Sequence, residues 1–176
     1  MHIDIIPAPK AQSDWFDAVL THCWGVKRKS TLDRYYKAND SITLLIQYLA
    51  LCKAPRSVAL QIRTHEKKDG CYVWLESGRP DYLKQRNEEP KPYSREEEIR
   101  FAILFNPRCL KNISHQRFCS KAEAPTIRFM ELWKQEMEKI DPALAAIMEP
   151  LCAYRNGVCT EIRGCQRWKQ YSEASR

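Results

Sequence analysis

The run Asn106-Pro-Arg108-Cys-Leu110-Lys-Asn112-Ile-Ser-His115-Gln-Arg117 sets its polar side chains in step with helical turns. With about 3.6 residues per turn, positions 106, 110, 113 and 117 share one face, and 108, 112 and 115 lie close together on another. Asn, Arg and His supply amide, guanidinium and imidazole groups that grip phosphates and the edges of heterocycles. A helix carrying them in this register is the first candidate for contact with a nucleotide or cofactor.

Downstream of that run, Ile127, Met130, Trp133, Met137, Ile140, Leu144 and Ile147 recur at steps of three and four. They predict a long helix with a stripe facing a core or a second subunit, kinked or restarted at Pro142. Upstream, the alternating β-branched residues 2–6 predict a short strand. Pro7 and Pro9 end it, and Ser13 is placed to cap a helix presenting Trp15, Phe16, Val19, Leu20, Cys23 and Trp24. Ser41 is placed to cap a second helix with Ile42, Leu45, Ile46 and Leu49 at core spacing. After Pro55, residues 58–62 fit a helix or a strand. The stretch 66–94, rich in Gly, Pro, Lys and Glu, predicts a loop or flap rather than a core element, and the charges from Arg95 to Arg100 a solvated helix start.

A chain of 176 residues that is 44% hydrophobic and 10% aromatic is long enough to bury a core as one domain, so disorder is not the default. A formal charge of +7 suits an anionic partner such as a nucleotide, a polyglutamylated cofactor or nucleic acid, and equally a solubilising surface. No run approaches roughly eighteen consecutive apolar residues, and the N-terminus lacks a basic region followed by an apolar one. The expectation is an intracellular, cytoplasmic protein. Of its eight cysteines, Cys23, Cys52, Cys71, Cys109 and Cys119 are dispersed singly among apolar or helical segments, the ordinary setting of reduced thiols. Cys152, Cys159 and Cys165 could ligate zinc with His115 or His22, but their spacing is not the paired two-residue knuckle. Reduced structural thiols are the favoured reading, and no metal is expected.

The 106–117 run resembles the signature of the flavin-dependent thymidylate synthases: Asn-x-Arg-x-Leu, a second Asn, then an Arg eleven residues after the first Asn. Asn106, Arg108, Leu110, Asn112 and Arg117 match it. The tail from Pro150 to Cys165, with Cys152, Gly157, Cys159 and Glu161, is similar to the Cys-containing ending of many members. Gln61 corresponds to a substrate-contacting glutamine, and Ser77-Gly78-Arg79 resembles the segment that holds the substrate phosphate, a task for which glycine, hydroxyl and guanidinium are suited. The resemblance implies an α+β fold with a small antiparallel sheet and packed helices, one domain over 1–176 with a variable 66–94 flap and a cysteine-containing tail over 150–176. It implies FAD contacts at Asn106, Arg108, Asn112, Lys121 (in place of a histidine), His65 and Ser41. Substrate contacts fall to Gln61, Ser77, Gly78, Arg79 and Arg117, the last also bearing on the reaction. NADPH and methylenetetrahydrofolate are the implied co-substrates, dUMP the methyl acceptor, and a homotetramer the implied assembly.

The chain departs from the pattern where the family has Arg-His-Arg, reading Thr64-His65-Glu66, and where a Glu-His pair stands, reading Ser41-Ile-Thr-Leu44-Leu45. Three readings are compatible with this. One is C5 reductive methylation of dUMP. Another is a related modification of dUMP or dCMP, as in a compact phage enzyme. The third is a non-catalytic nucleotide-binding or interaction protein on the same scaffold. A plain nucleic-acid-binding module would rest only on charge and on aromatics such as Tyr72 and Trp74, and no recognised module is present.

Overall fold

The computed structural model describes residues 1–7, 10–24, 33–38, 41–67, 70–90, 92–160 and 165. Among them, strands β1 (His2–Ile6), β2 (Tyr48–Pro55), β3 (Tyr72–Leu75) and β4 (Glu98–Phe105) form one antiparallel sheet in the order β1-β2-β4-β3. β2 and β4 pair along their whole length, from Tyr48 opposite Phe105 to Pro55 opposite Glu98. Ile3 lies opposite Cys52, and Val73 opposite Ile103. With a side-chain period of two, this register turns Ile3, Tyr48, Ala50, Cys52, Ala54, Val73, Ile99, Phe101, Ile103 and Phe105 inward. Apolar side chains also occupy the other face: Ile6, Leu51, Tyr72 and Trp74 are 44–53% exposed.

The helices are α1 (Lys10–Trp24), α2 (Asp33–Ala38), α3 (Arg56–Arg63), α4 (Pro80–Gln85), α5 (Pro107–Arg117), α6 (Ala124–Ile140), α7 (Pro142–Ala146) and α8 (Leu151–Tyr154). α6 carries the expected stripe into the core. Trp133 meets Phe105 edge-on at 5.0 Å and Phe129 at 5.7 Å between ring centroids. Pro142 starts a fresh helix, as one of the two expected readings had it. Asp141 fixes that junction: its Oδ1 accepts from the Leu144 N–H at 3.0 Å, and its Oδ2 accepts from the Tyr36 and Tyr48 hydroxyls at 2.8 and 2.6 Å. Burial, reinforced by the neighbouring groups, holds both phenols above their usual range, so both stay protonated and donate to Asp141. None of the described helices is long and apolar enough to cross a membrane.

Four local expectations are corrected. The first helix begins at Lys10, so Ser13 lies inside it rather than at its cap. Its Phe16 and Leu20 are fully buried, but Trp15 is exposed. Ser41 opens only a short 3-10 turn, Ser41–Leu45, and the period-two burial of Tyr48, Ala50, Cys52 and Ala54 draws the next segment into β2 instead of a helix. Residues 95–100 lead into β4, because the alternation Ile99, Phe101, Ile103, Phe105 outweighs the flanking charges. The 66–94 stretch supplies an edge strand with Val73 buried, as well as α4, which buries nothing. Residues 58–62 resolve as helix, within α3. Glu161 of the cysteine-containing tail lies outside the described residues.

Candidate functional site

α5 starts where the sequence places the first asparagine, but that side chain serves the helix. Asn106 is 2% exposed and is the N-cap: its Oδ1 accepts from the Cys109 N–H at 2.9 Å, with Pro107 in the first turn. Asn before Pro is a capping signature, legible in the run beside the flavin motif. Arg108, Asn112 and His115 come next, half-buried on one side of the helix. The His115 ring packs on Tyr154 of α8 at 4.9 Å, and Lys111 Nζ sits over the same ring at 4.4 Å. Burial, then the charges of Lys111 and Arg155, push the imidazole down to about 4, so it is neutral at physiological pH. Its Nε2 is buried without a hydrogen-bond partner.

Arg117 ends the helix on another face and reaches α3. Its Nη2 donates to Thr64 Oγ1 at 2.7 Å, and that hydroxyl donates to the Gln61 carbonyl at 2.8 Å. The two residues assigned to substrate, Gln61 and Arg117, are therefore brought together. Two of their atoms, Gln61 Oε1 and Arg117 Nε, are buried with no hydrogen-bond partner. An orphaned acceptor on one of the two helices that Thr64 links, and an orphaned donor on the other, suit a polar ligand bearing both functions. Burial pulls the Arg117 pKa down, with Glu123 opposing. Glu123 itself pairs with Arg95 at 2.6 Å and not with Arg117, the pairing open to it from sequence alone. His65 is buried at the end of the same helix, and Glu66 is held by Arg63 at 3.2 Å.

A cavity of about 280 Å3 opens beyond Arg117, lined by His115, Cys119, Lys121, Cys152 and Cys159 among others. Lys121 is exposed at its edge. Burial, then the neighbouring Cys159 thiol, raises the Cys152 pKa. Among the described residues no group of three or more His, Cys, Asp or Glu is placed to hold a metal ion.

Ser77, Gly78 and Arg79 lie elsewhere, between β3 and α4. The Arg79 guanidinium closes on Asp81 at 3.1 and 2.9 Å, and Ser77 Oγ accepts from the Arg79 N–H at 3.3 Å. Ser77 and Gly78 line a cavity of about 120 Å3 whose charged walls are Arg56 and Arg86 against Glu76, Glu88, Glu89 and Glu97. As folded, this pocket carries more carboxylates than guanidiniums, and Arg79, engaged by Asp81, is not among its lining residues. Ser41 is exposed on the 3-10 turn that packs against α5.

No protein-family model and no curated protein matches the sequence. Among solved structures, the chain is similar to Thymidylate Synthase X (ThyX) from Helicobacter pylori, crystallised with FAD and dUMP. The TM-score is 0.55 at 11% sequence identity, over 82% of this chain and 99% of that one. At that identity the likeness is one of architecture: a four-stranded antiparallel sheet with packed helices, folded as in that thymidylate synthase.

Proposed function

We propose that the chain is a flavin-dependent enzyme of pyrimidine-deoxynucleotide C5 chemistry, most simply the reductive methylation of dUMP. The observation that carries this reading is the pairing of Gln61 with Arg117 through Thr64, which leaves an acceptor and a cationic donor buried without partners in a thymidylate-synthase fold. Gln61 Oε1 would accept from the pyrimidine N–H, while Arg117 donates to a base carbonyl or phosphate. The neighbouring structure holds FAD and dUMP, the two ligands this reading needs.

The half-buried Arg108 and Asn112, with Lys121 at the cavity edge, would hold FAD. Asn106 would act by fixing where α5 begins. Bound flavin would supply the hydride, with NADPH as reductant and methylenetetrahydrofolate as one-carbon donor. Because Arg108 and Asn112 lie on a different side of α5 from Arg117, a complete site calls for a second copy of the chain. The exposed apolar sheet face, with a groove of about 570 Å3 lined by Leu51, Trp74 and Phe101 among others, fits a homo-oligomer. Its rim carries both signs, in Lys53–Glu98 at 3.8 Å and Arg100–Glu76 at 2.9 Å, as a self-complementary surface requires.

The second reading, a nucleotide-binding protein without flavin chemistry, is favoured by one observation: the Asn106 side chain, which the resemblance gives to FAD, is buried as the N-cap of α5. The visible absorption of the purified protein during FAD and then dUMP titration separates the two. A flavin spectrum perturbed by dUMP is the expected result. dUMP binding without flavin binding at any concentration would establish the second reading instead.

A further inference from the structure

We infer that Thr64 is a positioning residue for the nucleotide: its hydroxyl fixes the Arg117 guanidinium and passes the hydrogen bond on to the carbonyl of Gln61. This rests on the reading of Gln61 and Arg117 as nucleotide contacts, and it assigns a role to the position where the resembling family has an arginine.

The polarity of the relay is set by chemistry. A guanidinium has only donors, so Thr64 Oγ1 must accept from Arg117 Nη2 at 2.7 Å. The hydroxyl's one proton then goes to the Gln61 carbonyl at 2.8 Å. That carbonyl belongs to the last turn of α3, where backbone acceptors lack intrahelical partners, and Thr64 is the C-cap. One hydroxyl thus satisfies the helix end that bears Gln61 and holds the arginine beside it, so the two ligand-facing groups share an anchor. The arrangement also explains how a half-buried guanidinium stays charged while Glu123 is engaged by Arg95. Arg117 lies in the last turn of its own helix and against the C-terminus of α3, so the negative ends of two helix dipoles face one cation. Arginine or lysine at 64 has no acceptor to offer and could not close the relay. Serine could, and valine, equal in shape to threonine, could not.

The test uses the full chain, dUMP as the probe and calorimetry as the readout, on wild type, Thr64→Val, Thr64→Ser and Arg117→Ala. Thr64→Val is expected to weaken dUMP binding by about tenfold, the scale of one hydrogen bond to a charged group. Thr64→Ser should restore it, and Arg117→Ala should lose more than Thr64→Val. Wild-type affinity in Thr64→Val alongside loss in Arg117→Ala overturns the positioning role and leaves the nucleotide site standing. Unchanged binding in Arg117→Ala, or no binding by wild type, overturns the nucleotide reading itself and the inference with it. Since Thr64→Val also removes a helix cap, nitrogen-15 NMR of the Arg117 Nε–H in wild type gives a second measurement. An ordered, slowly exchanging resonance is expected, and a freely averaging guanidinium overturns the relay whatever the variants do.

Discussion

Gly70 lies so close to Asn106 that a Cβ on it would stand 2.7 Å from Asn106 Nδ2, and its φ is +77°, a conformation other residues adopt only under strain. Gly70, two residues before β3, thus sits against the residue that caps α5. Gly70→Ala is expected to destabilise by about 2 kcal/mol through backbone strain and displacement of the asparagine. Asn106→Ala should lose about 1 kcal/mol as a lost cap, with Asn106→Asp retaining most of it. Urea midpoints at constant slope measure all three. A stable Gly70→Ala would mean the loop moves aside at little cost.

The resemblance alone suggests that restoring arginine at positions 64 and 66 should raise thymidylate formation. The structure predicts the reverse for Thr64→Arg, because it sets a second guanidinium against Arg117 in place of the acceptor. Glu66→Arg also breaks the Arg63–Glu66 pair at 3.2 Å and sets like charges three residues apart. The expected outcome is weaker dUMP binding in the double variant, by about tenfold or more. A tighter complex or faster product formation would show that the site rearranges around the new cations.

His115 gives the protein an acid-sensitive element. Its folded-state pKa is depressed to about 4 from the ordinary 6.5, chiefly by burial. Above the unfolded value the ring is neutral in both states and contributes no pH dependence. As pH falls from about 6.5 to 4, the unfolded chain takes up a proton that the native site refuses, and stability drops. His115→Gln should flatten the stability profile in that window and leave it unchanged near pH 8. An unchanged acid slope would point to the carboxylates instead.

The exposed sheet face predicts an assembly that a charge can dissociate. Leu51 is 44% exposed, opposite Asp4 on one side and Ala102 on the other, and Leu51→Glu should shift sedimentation from oligomer to monomer without lowering the monomer's helix content. FAD affinity should fall in the same variant, since flavin contacts drawn from two copies cannot form in one. Oligomers that persist in Leu51→Glu would move the interface elsewhere.

Much of the scaffold was legible wherever one periodicity ruled a segment. Residues 2–6 alternate cleanly, and the stripe through Met130, Trp133 and Met137 holds a helical step, so both read correctly. The sequence misled where charge and period competed. Arg95–Arg100 looks like a solvated helix start until Ile99 and Phe101 are seen to continue through Phe105. Ser41 has the chemistry of a cap, but the alternation after Gln47 claims the chain for β2. At the candidate site, Arg117 stood out in the spacing of its run and Gln61 only through the family resemblance. Thr64 was not, because its importance lies in a contact between positions 53 residues apart. The capping role of Asn106 could have been read from the proline after it.

α3 and α5 leave opposite ends of two neighbouring antiparallel strands, at Pro55 and Phe105, and their last turns meet at Thr64 and Arg117. Helix length therefore decides whether the two ends meet. One inserted residue turns everything beyond it by about 100° and advances it by about 1.5 Å, enough to aim Arg117 or Gln61 away from its partner. A scaffold of this kind tolerates replacement of side chains more readily than a change in the number of residues from 56 to 64 or from 107 to 117.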